Sequence, residues 1–505
     1  MKKRIYISKN PERVEVASVE DGLPVEYRTE REDAARISGN IYKGRIVGIM
    51  PGMEAAFVDA GLSRNGYLSA QDTPLEGFAD FEGGDWAGHF SLKYAKENDF
   101  ILVQAVKDEI GGKGARLTQN ITLPGRFLIL LPAAPGGHLG VSRKIEDENA
   151  RKKLAVLMAG ALNGRCGAIV RTAAAAASKR EILQELERLF GEWGAIREAY
   201  ARRAGAGPVH TGGGLVYRAI RDLPPDGLEK IVADDAETAR SVARWMQQAG
   251  IKRYASRVEL YTGAEDMFTA FGVRQELEKI LNRRVNLKNG VWIVVEHTEA
   301  MTVIDVNSGG FVGETDMEQT AFTVNMIAAE EVARQIRLRN VGGMIVVDFI
   351  SMRDAEHKSQ LLAYLKTCLK ADSMRCTVMG MTALGLVEIT RKRVTGELAE
   401  LFTEPCGYCG GEGRLFSREY LITKLDIALR KLFAEDKPVA VVVTISDKLT
   451  AAVLKSKLLA RRCAEDFAGC RVYVVPDERM HMHGFRMRVE RQNVIELPES
   501  AKLLG

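Results

Sequence analysis

The sequence predicts a multidomain α/β protein, and three observations lead there. The 505 residues amount to about three to five modules at roughly 100–200 residues each. The texture changes along the chain: glycine-split, closely spaced strand segments fill 38–120, whereas long helical periodicities begin near Ser178 and Asp316. Finally, residues 290–350 read strand, strand, helix, strand, which requires parallel strands joined by a right-handed crossover.

Composition narrows the class. Hydrophobic residues make up 46% and charged residues 27%, as in ordinary globular proteins. A net charge of +4 makes no whole-chain argument for nucleic acid. Any such surface must be a local patch, balanced by acidic stretches such as 73–83 and 232–237. The N-terminal MKKRIYISKNPERVE lacks the apolar stretch of a signal peptide. No apolar run approaches the ~20 residues of a membrane helix. Seven cysteines are too few for a disulfide-stapled secreted fold, so a cytoplasmic protein with reduced thiols and no membrane span is expected.

Each segment has its own reading. Residues 1–37 hold short strands (RIYIS, VEVASVE, PVEYRTE) that need partners from later in the chain. Residues 38–120 predict a small barrel, with 73–97 as a polar surface loop. Residues 121–208 give the strands RFLILLP and GAIVRTA, then a helix from Ser178 to about Ala204. Residues 209–278 give the strands LVYRAIRD, KIVAD and RVELYTG, with a helix near 236–249. In 279–400, two strands turn at His297–Ala300, a helix runs from about Asp316 to Arg339, and MIVVDFI is a strand. Thr315-Asp316-Met317-Glu318 is the expected capping box, and Asn340-Val341-Gly342-Gly343 the stop. A Cys/Gly/Pro link, 401–415, leads to a small domain at 416–505 with a helix and the strands AVVVTIS and RVYVVPD.

Alternation along MTVIDVNS puts Met301, Val303, Asp305 and Asn307 on one face. Asp348 ends the apolar run before it. If the crossover sets these strands side by side, the two carboxylates lie about 5 Å apart laterally, where open α/β sheets place ligands. Paired carboxylates suit magnesium, which can activate water and neutralise charge on a phosphate. Strand-end capping or arginine pairing explains the same spacing. Cys406-Gly-Tyr-Cys409 suits two thiolates on zinc, or a redox pair. No second CxxC exists, so a four-ligand site would be completed by a pair from each of two protomers; chance spacing explains the pair equally. Phe57 and Tyr67 are either base-stacking platforms or barrel core, and Lys113 sits in the Gly-rich GGKGA. Arg171-Thr172 is a guanidinium–hydroxyl pair suited to phosphate, or a surface strand end. The cluster Thr390-Arg391-Lys392-Arg393 shares the module of the aspartates, which tilts it toward substrate phosphate.

Taken together, the motifs carry a resemblance. NIYKG with EAAFVD at 40–59, VRTA at 170–173, AMTVIDVNS at 300–308, RQIRLRN with GGMIVVDFI at 334–350, GLVEITRKR at 385–393 and CxxCxGxG at 406–413 resemble the catalytic portion of the ribonuclease E/G family over most of the chain. The resemblance implies a ribonuclease-H-like domain (1–37 and 209–278) with an inserted S1-type OB barrel (38–120) and a 5′-sensor (121–208). A deoxyribonuclease-I-like catalytic domain (279–400), a zinc link (401–415) and a small dimerising α/β domain (416–505) follow. It implies that Asp305 and Asp348 bind catalytic Mg2+ beside Asn307, and that Cys406 and Cys409 are half of a structural Zn2+ site shared by two chains. It implies that Arg171 and Thr172, with Gly125, bind a 5′-monophosphate, and that Phe57, Tyr67, Lys113 and Arg375 contact RNA. The implied partners are single-stranded RNA, including ribosomal RNA precursors and messenger RNA, and a second copy of the chain, in a homodimer or a tetramer of two dimers. Ending at 505, the chain is expected to be similar to members without a long scaffold tail. It departs from the family pattern at Tyr67, where phenylalanine is usual, at Gly407, where proline is usual, and in the alanine run after Thr172.

The expected activity is magnesium-dependent endonucleolytic hydrolysis of single-stranded RNA, leaving 5′-phosphate ends and stimulated by a 5′-monophosphate. A non-catalytic RNA-binding factor using the barrel alone is the alternative from another class. A deoxyribonuclease would rest on fold analogy only.

Overall fold

The computed structural model describes residues 2–31, 36–73, 95–109, 114–134, 138–223, 227–248, 252–310, 316–393, 396–436, 438–492 and 495–504. Lys113, Thr315 and most of the 73–97 loop lie outside them. The chain divides into two compact units, Met1–Leu401 and Phe402–Gly505.

In the first unit, strand Lys3–Lys9 lies between Arg13–Glu20, antiparallel, and Leu228–Ala233, parallel. Leu23–Arg31 and Val258–Leu260 form the edges. The N-terminal strands thus complete their sheet with chain more than 200 residues away.

Strands Ile41–Met50, Ala55–Asp59, Gly66–Ser69, Arg116–Thr118 and Phe100–Lys107 close into a five-stranded barrel, the first pairing with the last. Its interior holds Ile46, Ala56, Val58, Leu68, Val103 and Leu117, all fully buried. Alternation then sends Phe57 and Tyr67 to the outside.

A four-stranded sheet around Leu128–Leu131 and Gly167–Val170 packs on two helices. One is Lys179–Arg202, opened by a Ser178–Glu181 capping box. The other, Glu148–Leu162, is capped by Asp147 and buries Leu154, Met158 and Leu162 at helical spacing.

One expectation fails locally. Leu215–Arg221, expected as a strand, is a short helix begun at Gly214, because one face buries Leu215 and Ile220. The long helix Met317–Leu338 is capped by Asp316, whose carboxylate accepts the Glu318 N–H; the expected capping box involves Thr315, outside the described residues. The Glu318 carboxylate accepts from the Arg353 and Asp354 N–H groups.

Buried ion pairs tie the modules of this unit together. Glu20 accepts both Arg337 Nη1 and Nη2, at 2.9 and 2.8 Å. Burial works against the Glu20 charge, but Arg337 and Lys3 outweigh it and hold its carboxyl below the ordinary range. The folded pKa is therefore depressed. The stabilisation is present above an ordinary carboxylate pKa of about 4.3 and is lost as pH falls toward the folded value. Glu20→Gln should lower stability at neutral pH by about 3–5 kcal/mol and flatten the loss in acid. Thermal melts at pH 7 and in acid check this; coincident melts for variant and parent at pH 7 would refute it.

In the second unit, Ala440–Ser446 pairs parallel with Arg471–Asp477. Helix Arg418–Glu435 packs on that sheet through Leu421, Leu425 and Leu429.

Candidate active site and phosphate pocket

The site grows from a six-stranded sheet. Strand Met301–Asn307 pairs parallel with Gly343–Asp348. Helix Met317–Leu338 is the crossover between them. One sheet face, with Ile304, Val306, Ile345 and Val347, packs on Val324, Ala328 and Val332 of that helix. The opposite face is open. There Asp305 and Asp348 are direct Cα partners, both exposed, on strands about 5 Å apart. Asn307 Nδ2 donates to Asp305 Oδ2 at 2.8 Å. Asp348 is held from behind: the wholly buried Asn325 donates to the Ile350 carbonyl at 2.8 Å and accepts the Ile350 N–H at 2.9 Å.

Among the described residues Asp305 has Asn307 as its hydrogen-bond partner, and neither it nor Asp348 is in an ion pair. Two adjacent exposed carboxylates without ion-pair partners repel each other, which fits a hard divalent cation whose remaining ligands are water and phosphate oxygen. No group of three or more His, Cys, Asp or Glu side chains at metal-binding spacing exists among the described residues.

The same face carries features the sequence reading passed over. Trp292 is the Cα partner of Asn307, and the Arg284 guanidinium stacks on its ring at 4.0 Å. Met301, Met344 and Met379 are exposed. An apolar, aromatic floor thus runs up to the carboxylates. The period-two pattern from Trp292 through Val294 was the available signal. The basic cluster is different from the expectation. Val387, Ile389 and Arg391 share the inward face, so Arg391 is buried. It is spent on Asp372 at 2.7 Å and on the Val341 carbonyl. Arg393 donates to the Gly342 carbonyl, and only Thr390 and Lys392 are exposed without such a role.

Arg171 follows strand Gly167–Val170 directly. Its Nη1 donates to the Gly125 carbonyl at 2.6 Å and its Nη2 to Asp222 Oδ1 at 2.7 Å. Gly125 is required: a Cβ there would meet the Glu185 carboxylate at 2.5–2.8 Å. That buried carboxylate accepts the N–H groups of Arg126, Phe127 and Leu128 and so fixes the turn. Burial opposes the Asp222 charge, yet Arg221 and Arg171 hold its carboxyl below the ordinary range. Thr172 is exposed, its Oγ1 3.0 Å from Ser142 Oγ. The Arg171 guanidinium is thus fixed by Gly125 and Asp222, and guanidinium and hydroxyl groups are both donors that phosphate accepts from.

Phe57 and Tyr67 are Cα partners on the barrel exterior, rings edge to face at 6.3 Å. They are half-buried, so they are not barrel core. Arg375 is exposed.

In the link, the Tyr408 and Cys409 N–H groups point at Cys406 and hold its thiol below the usual range. The Gly413 N–H donates to Cys409 Sγ at 3.2 Å, and Gly410 donates to the Cys406 carbonyl at 2.8 Å. Burial instead pushes Cys166, Cys376 and Cys463 up to about 11. Two cysteine sulfurs three residues apart in a glycine turn have the spacing of two metal ligands.

No helix among the described residues is long and apolar enough to cross a membrane. A model of the Ribonuclease E/G family matches residues 122–394. The chain is 35% identical to Ribonuclease G of Escherichia coli (strain K12), over 82% of this chain and 84% of that protein. It is 36% identical to Ribonuclease G of Haemophilus influenzae, over 86% and 89%. It is 31% identical to Ribonuclease E of Escherichia coli (strain K12), over 97% of this chain and 46% of that protein. With this match extending through both the paired aspartates and the Arg171 pocket, the chain belongs to the ribonuclease E/G family.

Proposed function

We propose that this protein is a single-strand-specific endoribonuclease that hydrolyses RNA phosphodiesters in a magnesium-dependent reaction, leaving 5′-phosphate ends. The observation that carries the reading is the Cα pairing of Asp305 with Asp348 on an open sheet face. The enzyme class is that of the family. Magnesium held by these carboxylates supplies Lewis-acid neutralisation of charge developing on the scissile phosphate. Asn307 orients the Asp305 carboxylate through its Nδ2 hydrogen bond. The floor of Trp292, Met301 and Met344 gives flanking bases a stacking surface, worth about 1–3 kcal/mol per base. Such a floor takes unpaired bases, whereas a duplex hides their faces.

Arg171, Thr172 and Gly125 bind a substrate 5′-monophosphate, and Phe57, Tyr67, Lys113 and Arg375 contact the strand. The first sheet, ordered 23–31, 13–20, 3–9, 228–233, 258–260, supports a ribonuclease-H-like domain interrupted by the barrel and sensor. Residues 279–400 serve as the deoxyribonuclease-I-like catalytic domain. Cys406 and Cys409 join two chains through zinc. Ribosomal RNA precursors and messenger RNA are the substrates, in the cytoplasm.

An oligonucleotide assay tests the reading: a 5′-monophosphorylated single-stranded RNA, its hydroxyl-ended twin and the matching DNA, each with magnesium or EDTA. RNA cleavage only with magnesium is expected. RNA binding without cleavage would establish the non-catalytic reading, and equal cleavage of DNA the deoxyribonuclease reading. In the same assay Arg171→Ala should erase the preference for the monophosphorylated end, about 1.5–3 kcal/mol for a charge-assisted contact. Hydroxyl-ended RNA should be cut as before, and an unchanged preference would remove Arg171 from phosphate sensing.

A further inference from the structure

Strand Arg284–Asn286 is one edge of the six-stranded sheet. The register runs Arg284, Val294, Asp305, Asp348 across neighbouring strands. Residues paired across strands point to the same face, so Arg284 shares the open face and the row of the two carboxylates. Two strand spacings, about 10 Å, separate it from Asp305.

Its guanidinium is held in place. It stacks on the Trp292 ring at 4.0 Å, and its Nε donates to Asn286 Oδ1 at 2.9 Å. Trp292 is fixed in turn by the loop that follows Asn307. A Cβ at Gly309 would meet the ring at 2.6 Å, and Gly309 takes a left-handed φ of +58°. Arginine donates from Nε and from both terminal nitrogens. Here Nη1 and Nη2 have no acceptor among the described residues, and the side chain is exposed. Neighbouring arginines are spent: Arg283 pairs with Glu296 at 3.1 Å, Arg391 with Asp372, and Arg393 donates to the Gly342 carbonyl. A loose surface arginine must be ordered before it can bind, whereas this one is ordered already. A charge on an edge strand also guards against edge-to-edge pairing, but that role needs neither the ring nor Asn286.

We propose that Arg284 binds a backbone phosphate of the RNA strand, the one neighbouring the scissile phosphate. Its terminal N–H fork matches two phosphate oxygens, and its offset from the aspartate pair falls on the next phosphate along the strand. The position relative to the cut rests on the proposed reaction, which sets the scissile phosphate at Asp305 and Asp348. The contact with phosphate does not.

Two measurements on the full-length protein test this. In EDTA, affinity for a 5′-hydroxyl single-stranded RNA is followed against salt concentration. Loss of one phosphate contact should make the slope of log K against log[salt] shallower by about 0.7 in Arg284→Gln, whereas Arg284→Lys keeps the charge and the parental slope. With magnesium, cleavage is followed on RNAs carrying a single neutral methylphosphonate, placed in turn at each position flanking the cut. One such position should slow the parent by about tenfold or more. Arg284→Gln should be slowed as much on unmodified RNA and lose nothing further at that position. The proposal is overturned by a parental salt slope in Arg284→Gln, by a parent indifferent to every flanking methylphosphonate, or by a methylphosphonate effect as large in the variant as in the parent. A parent that cuts no RNA would refute the reaction, and the salt slope would still decide the Arg284 contact.

Discussion

Asp305→Asn should lower RNA cleavage by about a thousandfold or more, corresponding to roughly 4 kcal/mol of transition-state stabilisation. The substitution keeps the shape of the side chain and removes one charge of the pair. Asp305 is exposed and outside the core that joins the sheet to its helix. The melting temperature and RNA affinity should therefore stay near the parent's. Asp348→Asn should match it, and the double variant should lose little more, because two ligands of one ion act as a unit. Single-turnover cleavage in saturating magnesium reads this out. Near-parental rates for Asp305→Asn would remove the pair from catalysis.

The second large effect is expected at the link. Parent protein should carry about one zinc per two chains, completing a four-thiolate shell. Cys406→Ser should bring zinc to near zero and the assembly from two chains to one. Apparent structural zinc affinities of ~10–16 kcal/mol make this loss complete rather than partial. The effect should be confined there: Cys406 and Cys409 lie in the second unit, whereas Asp305 and Asp348 lie in the first. Elemental analysis with light scattering measures both quantities. One zinc per chain, or a dimer that survives the substitution without zinc, would contradict the shared site.

The aspartate pair was legible because two rules act together. Period-two alternation put Asp305 and Asn307 on one face, and the crossover put Asp348 beside Asp305; the register pairs those residues. Arg391 shows the same rule left unapplied: counting back through Ile389 and Val387 would have turned it inward, toward Asp372. Trp292 was missed because its alternation with Val294 tells only which residues share a strand face; that this face is the one carrying Asn307 follows from the pairing of Trp292 with Asn307 across a hairpin. Leu215–Arg221 misled because its β-branched and aromatic residues mimic a strand. Its helical form is set by burial of Leu215 and Ile220 against distant elements. Helix Glu148–Leu162 carried its own signal, an Asp147 cap before apolar residues four apart.

If the paired carboxylates serve metal-dependent hydrolysis, both the products and the metal requirement of the reaction are fixed. The most direct measurement is the chemistry of the cut ends of an internally labelled single-stranded RNA, incubated with full-length protein, with EDTA, and with EDTA followed by excess magnesium. Expected are 5′-phosphate and 3′-hydroxyl ends, no cleavage in EDTA, and recovery when magnesium is restored. Cleavage that persists in EDTA and leaves 2′,3′-cyclic phosphates would contradict it, because the RNA's own 2′-hydroxyl would then be the nucleophile and Asp305 and Asp348 would have no metal to hold.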